Sequence, residues 1–157
     1  NAELFRDKNL ILTPSDETDI DSIESIQELW KGCGAHTSLM SPYQHDEMLA
    51  MTSHLPHLLA FTYMNHMLSN STEKNEATLL NFAGSGFRDF TRIASSSPEM
   101  WKDICLANRR LLLQQIRVYQ NELARMNEIL EDGDGAVLEK FFLNAQITRG
   151  KFLKNKH

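Results

Sequence analysis

The chain has 157 residues, enough for one domain that buries roughly 70% of its unfolded surface. Hydrophobic residues make up 41% and charged residues 24%, an ordinary soluble composition, and no apolar run nears the ~20 residues that span a bilayer. The net charge of −5 argues against nucleic acid, which wants a basic field, but leaves room for a small anion gripped by local cations.

Asn9 to Thr13 is a short apolar run closed by Pro14 and reads as a buried strand. Ile20, Ile23, Ile26 and Trp30 recur at helical spacing after an acidic start, and Gly32 and Gly34 supply the stop. His36 to Met40 reads as a second strand, which makes a βαβ unit of a parallel sheet. One such unit is not a stable sheet by itself and looks like the trailing edge of a larger nucleotide-binding domain. The first residue is Asn rather than Met, which points the same way.

Ser41-Pro-Tyr-Gln44 predicts a strong helix start, with Ser41 as cap, Pro42 at the first helical position and Gln44 completing a capping box. That helix runs to about Leu68, with Met48, Met51, Leu55, Leu58, Leu59 and Thr62 toward a core and a kink at Pro56. Ser69 to Glu76 is polar and reads as an exposed loop, followed by a short helix over about Ala77 to Ala83. Ser97-Pro98-Glu99 opens a long helix whose apolar side includes Met100, Trp101, Ile104, Leu111, Leu112, Ile116 and Leu130. Asp132-Gly-Asp-Gly135 ends it, and a last amphipathic helix from about Ala136 ends in a basic tail. Helices of about thirty residues are ~45 Å long. Apolar positions along that length predict a homodimer packed across a two-fold axis, with a monomeric antiparallel bundle as the alternative.

The chemistry-bearing residues cluster in two stretches. In Phe82-Ala-Gly-Ser-Gly-Phe-Arg-Asp-Phe-Thr-Arg-Ile-Ala94, two glycines allow a tight turn and helical spacing stacks Arg88 and Arg92 on one face. Such an arginine suits a planar carboxylate; the plain alternative is a solvated helix end with a surface Arg/Asp pair. In Thr52-Ser-His-Leu-Pro-His-Leu-Leu-Ala60, His54 and His57 flank the mid-helix Pro56. Their spacing of three, without a glutamate after the first, is not that of a zinc helix, and His36, His45 and His66 complete no ligand set. A pair of core histidines is the other reading. Cys33 and Cys105 form no Cys-x-x-Cys pattern and no basic-plus-apolar leader is present, as in a cytoplasmic protein with idle thiols.

Gly-Phe-Arg-Asp-Phe-Thr-Arg-Ile-Ala with Pro98 and Trp101, the Ser-His-Leu-Pro-His segment, and the opening Asn1-Ala-Glu-Leu-Phe with Ile11-Leu-Thr-Pro14 together resemble the prephenate dehydrogenase family, which includes arogenate and cyclohexadienyl dehydrogenases. The resemblance implies a mainly α fold. Residues 42–157 would be the helical substrate-binding and dimerisation domain, and 1–41 a βαβ remnant of the Rossmann-like domain. It also implies oxidative decarboxylation of prephenate to 4-hydroxyphenylpyruvate with NAD or NADP in tyrosine biosynthesis. Arg92 then matches the arginine that grips the ring carboxylate, and His57 a histidine of the substrate pocket. His54 and Trp101 match pocket positions, Asp89 a supporting one, and Asp46 an acidic position in gating or an ion-pair network.

Gly84-Ser-Gly86 is not a dinucleotide fingerprint, since a third glycine and a preceding strand are missing. The family's catalytic histidine belongs to a His-Pro motif that precedes the part matched here. The expectation is therefore a chain inactive by itself, belonging to a longer enzyme that is sometimes fused to enolpyruvylshikimate-phosphate synthase. Arogenate is the rival substrate. A non-catalytic dimerisation or regulatory module of the same fold is the rival function, though dimerisation needs none of Arg92, His57 and Trp101.

Overall fold

The computed structural model of the chain describes residues 3–70, 78–79 and 81–154, so positions 71–76 of the loop expected over 69–76, and positions 77 and 80 of the short helix, lie outside it. The chain divides into two compact units, Asn1–Leu113 and Gln114–His157.

In the first unit, β1 (Asn9–Leu12) and β2 (His36–Leu39) pair in parallel, Asn9 opposite His36 and Leu12 opposite Leu39. The crossover is α1 (Ile20–Gly32). Its start is fixed by Asp19, whose carboxylate accepts from the Ser22 N–H at 3.0 Å; bonding to Ser22 also holds that carboxyl below its usual range. Its exit turns at Gly34, with φ of 82°, where a Cβ would stand 3.3 Å from the Arg6 Cα. The strand–helix–strand order matches the reading of the sequence. Two strands are too few for an independent sheet, and α1 buries none of its residues: Ile20 is 70% exposed.

The capping box forms as expected at α2 (Pro42–Leu49): Ser41 Oγ accepts from the Gln44 N–H at 3.2 Å, and Gln44 Oε1 from the Ser41 N–H at 3.1 Å. Replacing Ser41 with alanine is expected to lower the unfolding free energy by about 1 kcal/mol, measurable as a shifted urea midpoint with unchanged slope.

The expected kink at Pro56 takes the form of a π-helical turn, Ala50–His54, between α2 and α3 (Leu55–Ser69). Proline has no N–H and its ring crowds the carbonyl four residues back, so the turn before it widens. The Leu55 N–H bonds the Ala50 carbonyl, five residues back. The added residue rotates the helix face. Ala50, His54, Leu55 and Ala60 are buried, whereas Met48, Met51 and Thr62, expected toward a core, are exposed.

Beyond α3 come α4 (Ser85–Thr91), a 3-10 turn (Arg92–Ser95) and α5 (Pro98–Ala107). Tyr63 on α3 holds Phe87 and Phe90 of α4, with ring centroids 6.1 and 5.8 Å away. The one long helix expected from Pro98 is two: Asn108, at φ −100° and ψ 28°, separates α5 from α6 (Arg109–Asp132). The core of this unit includes Ala50, Leu55, Ala60, Trp101, Leu111 and Leu112.

In the second unit, the end of α6 and α7 (Gly135–Lys154) meet at a turn where Gly133 takes φ of 67° and the Asp134 carboxylate accepts from the Ala136 N–H at 2.9 Å. The Arg125 guanidinium lies 5.7 Å from the centre of the Phe141 ring. Ile129 is buried, while Leu123, Leu130, Phe142, Leu143 and Ile147 are exposed. No helix among the described residues is long and apolar enough to cross a membrane.

Candidate functional site

Three rings predicted as site residues meet in the first unit. His57 stacks on Trp101, with centroids 3.9 Å apart and planes 22° from parallel. His54 meets the same indole edge-on, at 6.1 Å and 77°. The π turn and Pro56 aim both histidines at α5, and Ser97, accepting from the Met100 N–H at 3.3 Å, starts α5 where Trp101 falls in its first turn. Trp101 is 7% exposed, and its Nε1 is the buried side-chain nitrogen without a hydrogen-bond partner among the described residues.

A backbone carbonyl and a side-chain amide NH2 fix the two imidazoles. His57 Nδ1 lies 2.9 Å from the Ser53 carbonyl oxygen. A carbonyl can accept but not donate, so Nδ1 carries the proton. His54 Nδ1 lies 3.2 Å from Asn108 Nδ2, and the same amide donates to the Asp46 carbonyl at 2.7 Å. Asp46 thus joins the cluster through its backbone, while its carboxylate lies 3.0 Å from His45 Nδ1. Asn108 and Ser53 were not singled out in the sequence. Asn108 could have been, because it falls in helical phase with Trp101, Ile104 and Leu111, and an amide on an apolar stripe must find partners when buried.

Burial pushes the His54 imidazole below its ordinary value of 6.5, opposed by the Asp46 charge and reinforced by His45 and His57. The fold therefore holds His54 neutral. Below 6.5 the unfolded chain gains a proton here that the folded chain accepts at a lower pH. Stability tied to His54 is full above 6.5 and is lost as pH falls through the folded value. Melting temperature is expected to drop more steeply with acidification in the wild type than in His54→Gln. Equal slopes would remove His54 from the acid response.

Arg92 and Asp89 sit on the segment that packs against α3, and both are exposed. No hydrogen bond, ion pair or ring contact joins either one to the three-ring cluster among the described residues. Arg88 Nη2 donates to the Ala83 carbonyl at 3.1 Å, whereas the Arg92 guanidinium has no polar partner among them. Gly84-Ser-Gly86 does not fit a dinucleotide: it opens the seven-residue α4 and follows no strand. No three histidine, cysteine or acidic side chains gather as a metal site among the described residues. Cys33 is exposed; Cys105 is half-buried and its thiol is pushed up by burial.

The third helix carries His57 in the ring cluster and also packs against the turn that bears Arg92. The family profile described as "Prephenate dehydrogenase, dimerization domain" matches residues 41–144. The chain is 36% identical over 148 residues to the cyclohexadienyl dehydrogenase of Zymomonas mobilis, covering 94% of this chain and 50% of that protein. It is also 36% identical over 143 residues to the prephenate dehydrogenase of Bacillus subtilis, covering 91% of this chain and 38% of that one. The prephenate dehydrogenase of Aquifex aeolicus, solved with hydroxyphenyl propionate and NAD+, superposes with a TM-score of 0.89 at 32% identity, covering 96% of this chain and 52% of that one. The Synechocystis arogenate dehydrogenase, at 24% identity and a TM-score of 0.84, shares the fold. The chain spans half or less of the length of these curated relatives. With its mainly helical fold after a short parallel βαβ piece, the chain belongs to the prephenate dehydrogenase family, whose dimerisation domain it carries.

Proposed function

We propose that this chain is the substrate-binding and dimerising part of a dehydrogenase that oxidatively decarboxylates prephenate to 4-hydroxyphenylpyruvate in tyrosine biosynthesis. Residues 42–157 form the substrate-binding and dimerisation domain, and residues 1–41 belong to the end of the nucleotide-binding domain. The observation that carries the reading is the convergence of Trp101, far along the sequence, with His54 and His57 in one cluster.

The nicotinamide cofactor, NAD or NADP, supplies hydride acceptance when bound. We assign the dinucleotide fingerprint and the catalytic base to other parts of the enzyme, so that the residues described here do not turn over substrate by themselves. What this chain's own residues do is bind and orient. Prephenate carries two carboxylates, and Arg92, always protonated, takes the ring carboxylate through paired hydrogen bonds. His57, fixed in plane by the Trp101 stack and by the Ser53 carbonyl, gives the pyruvyl side chain a rigid ring to rest against. Asp89 and Asp46 support the arginine and histidine segments. The exposed apolar side chains of α6 and α7 pack against a second copy in a cytoplasmic homodimer.

The test is turnover of the intact enzyme with prephenate and with arogenate, each with NAD and NADP, followed by the absorbance of the reduced dinucleotide. Reduction with prephenate is the expected result and identifies the cofactor. Activity with arogenate in its place moves the substrate and keeps the binding roles. Silence with both substrates leaves a dimerisation or regulatory module.

A further inference from the structure

We propose that Asn108 is a positioning residue that locks His54 in the tautomer carrying its proton on Nε2, so that His54 and His57 present Nε2 atoms of opposite hydrogen-bonding character. The argument starts from a group that has no choice. The Asp46 carbonyl oxygen, 2.7 Å from Asn108, is an acceptor, so the amide must present its NH2 and not its oxygen. That NH2 has two hydrogens. One serves Asp46, and the other is directed at His54 Nδ1, 3.2 Å away. A nitrogen that accepts this bond has a lone pair there, so neutral His54 carries its proton on Nε2. His57 is wired the other way, because the Ser53 carbonyl at 2.9 Å requires a proton on its Nδ1 and leaves the neutral Nε2 with a lone pair.

Asn108 has the means to hold this arrangement. It is 7% exposed, it interrupts the helix between α5 and α6, and its amide ties that junction to α2 and to the π turn together. The charged and titratable groups around His54 are Asp46 and His45 on α2 and His57 on α3, and Trp101 on α5 closes the ring face. None of them offers His54 Nδ1 a competing acceptor among the described residues. The consequence is a matched pair. With both rings neutral, the cluster holds one N–H donor at Nε2 of His54 and one lone pair at Nε2 of His57. Such a pair suits a molecule with an acceptor oxygen and a donor hydroxyl. This consequence for the substrate rests on the function proposed above; the tautomers do not.

The experiment is a long-range 1H–15N correlation spectrum of the imidazoles in the intact protein, well above the ordinary histidine value of 6.5. The peaks are assigned by their loss in His54→Gln and His57→Gln. The expected result is the Nε2–H pattern for His54 and the Nδ1–H pattern for His57. In Asn108→Asp, which is nearly isosteric but presents acceptors in place of the NH2, the His54 proton is expected to move to Nδ1 while His57 keeps its pattern. An Nδ1–H pattern for wild-type His54, or an averaged spectrum of both tautomers, would overturn the proposal, even where Asn108→Asp does not fold. An unchanged His54 in a folded Asn108→Asp would overturn it too. In the intact enzyme the same variant is expected to raise KM for the carboxylate substrate tenfold or more and to leave KM for the dinucleotide unchanged. If no substrate turns over, the functional reading fails and the tautomer assignment still stands on the spectrum.

Discussion

Trp101→Ala is expected to lower the unfolding free energy by about 3–5 kcal/mol, a large part of the total stability of an ordinary domain. Its indole is 7% exposed, with His57 stacked on it at 3.9 Å and His54 against its edge, and it lines a cavity with Leu58, Phe61 and Pro98. Truncation removes the surface on which both histidines rest and leaves a void that helices pinned by Pro56 and Pro98 cannot close. Trp101→Phe separates two contributions. The phenyl ring loses some packing, but it also removes the buried Nε1 hydrogen that finds no partner, which costs about 1–3 kcal/mol in the folded protein. These effects oppose each other, so the phenylalanine variant is expected to be far milder than alanine. Urea unfolding of the two variants measures the difference. Equal losses would mean that the indole nitrogen is satisfied in solution and that its burial carries no penalty.

The elements that could be read from the sequence are those whose local chemistry matches their tertiary role. Ser41 with Gln44, Ser97 before Pro98, and the glycines after α1 and α6 each act within a few residues, so a single window contains the whole cause. The parallel pairing of β1 with β2 follows from an apolar run, a helix and another short run. Two features lie beyond what a local window contains. The kink expected at Pro56 takes the form of a π turn upstream, whose added residue sends Met51 to solvent and His54 inward. The helix after Pro98 was read as continuous, because its apolar period runs through Asn108. What interrupts it is a side chain bonded to Asp46 and His54, 62 and 54 residues away, which no local window contains. The resemblance names His54, His57 and Trp101 as expected site residues but does not give their convergence. It depends on how α3 and α5 pack. Periodicity gives each helix a face but not the neighbour that the face meets.

Arg92→Ala in the intact enzyme is expected to raise KM for prephenate on the order of 100-fold, about 3 kcal/mol, with KM for the dinucleotide little changed. The magnitude follows from the bond lost: two parallel charge-assisted hydrogen bonds to a carboxylate, in a site where water would otherwise solvate the anion. The structure separates Arg92 from its neighbour Arg88, although the two look equivalent in sequence. Arg88 is committed to the Ala83 carbonyl at 3.1 Å, across the glycine turn of its own segment. Arg92, in the 3-10 turn held to α3 by the packing of that turn and by Tyr63 on Phe87 and Phe90, has its guanidinium free of polar partners among the described residues. An arginine without an internal partner, carried on a segment anchored by aromatic contacts, is preorganised without first having to break a bond. Arg88→Ala is therefore expected to loosen the turn and cost stability, with a much smaller effect on KM. Arg92→Lys keeps the charge but loses the planar fork, so it should recover a minor part of the binding. A lysine variant as good as the wild type would mean that Arg92 acts as a diffuse positive charge. Equal losses for substrate and dinucleotide would point to a structural role for the turn. A selective rise in KM, poorly rescued by lysine, is the result that a carboxylate clamp requires.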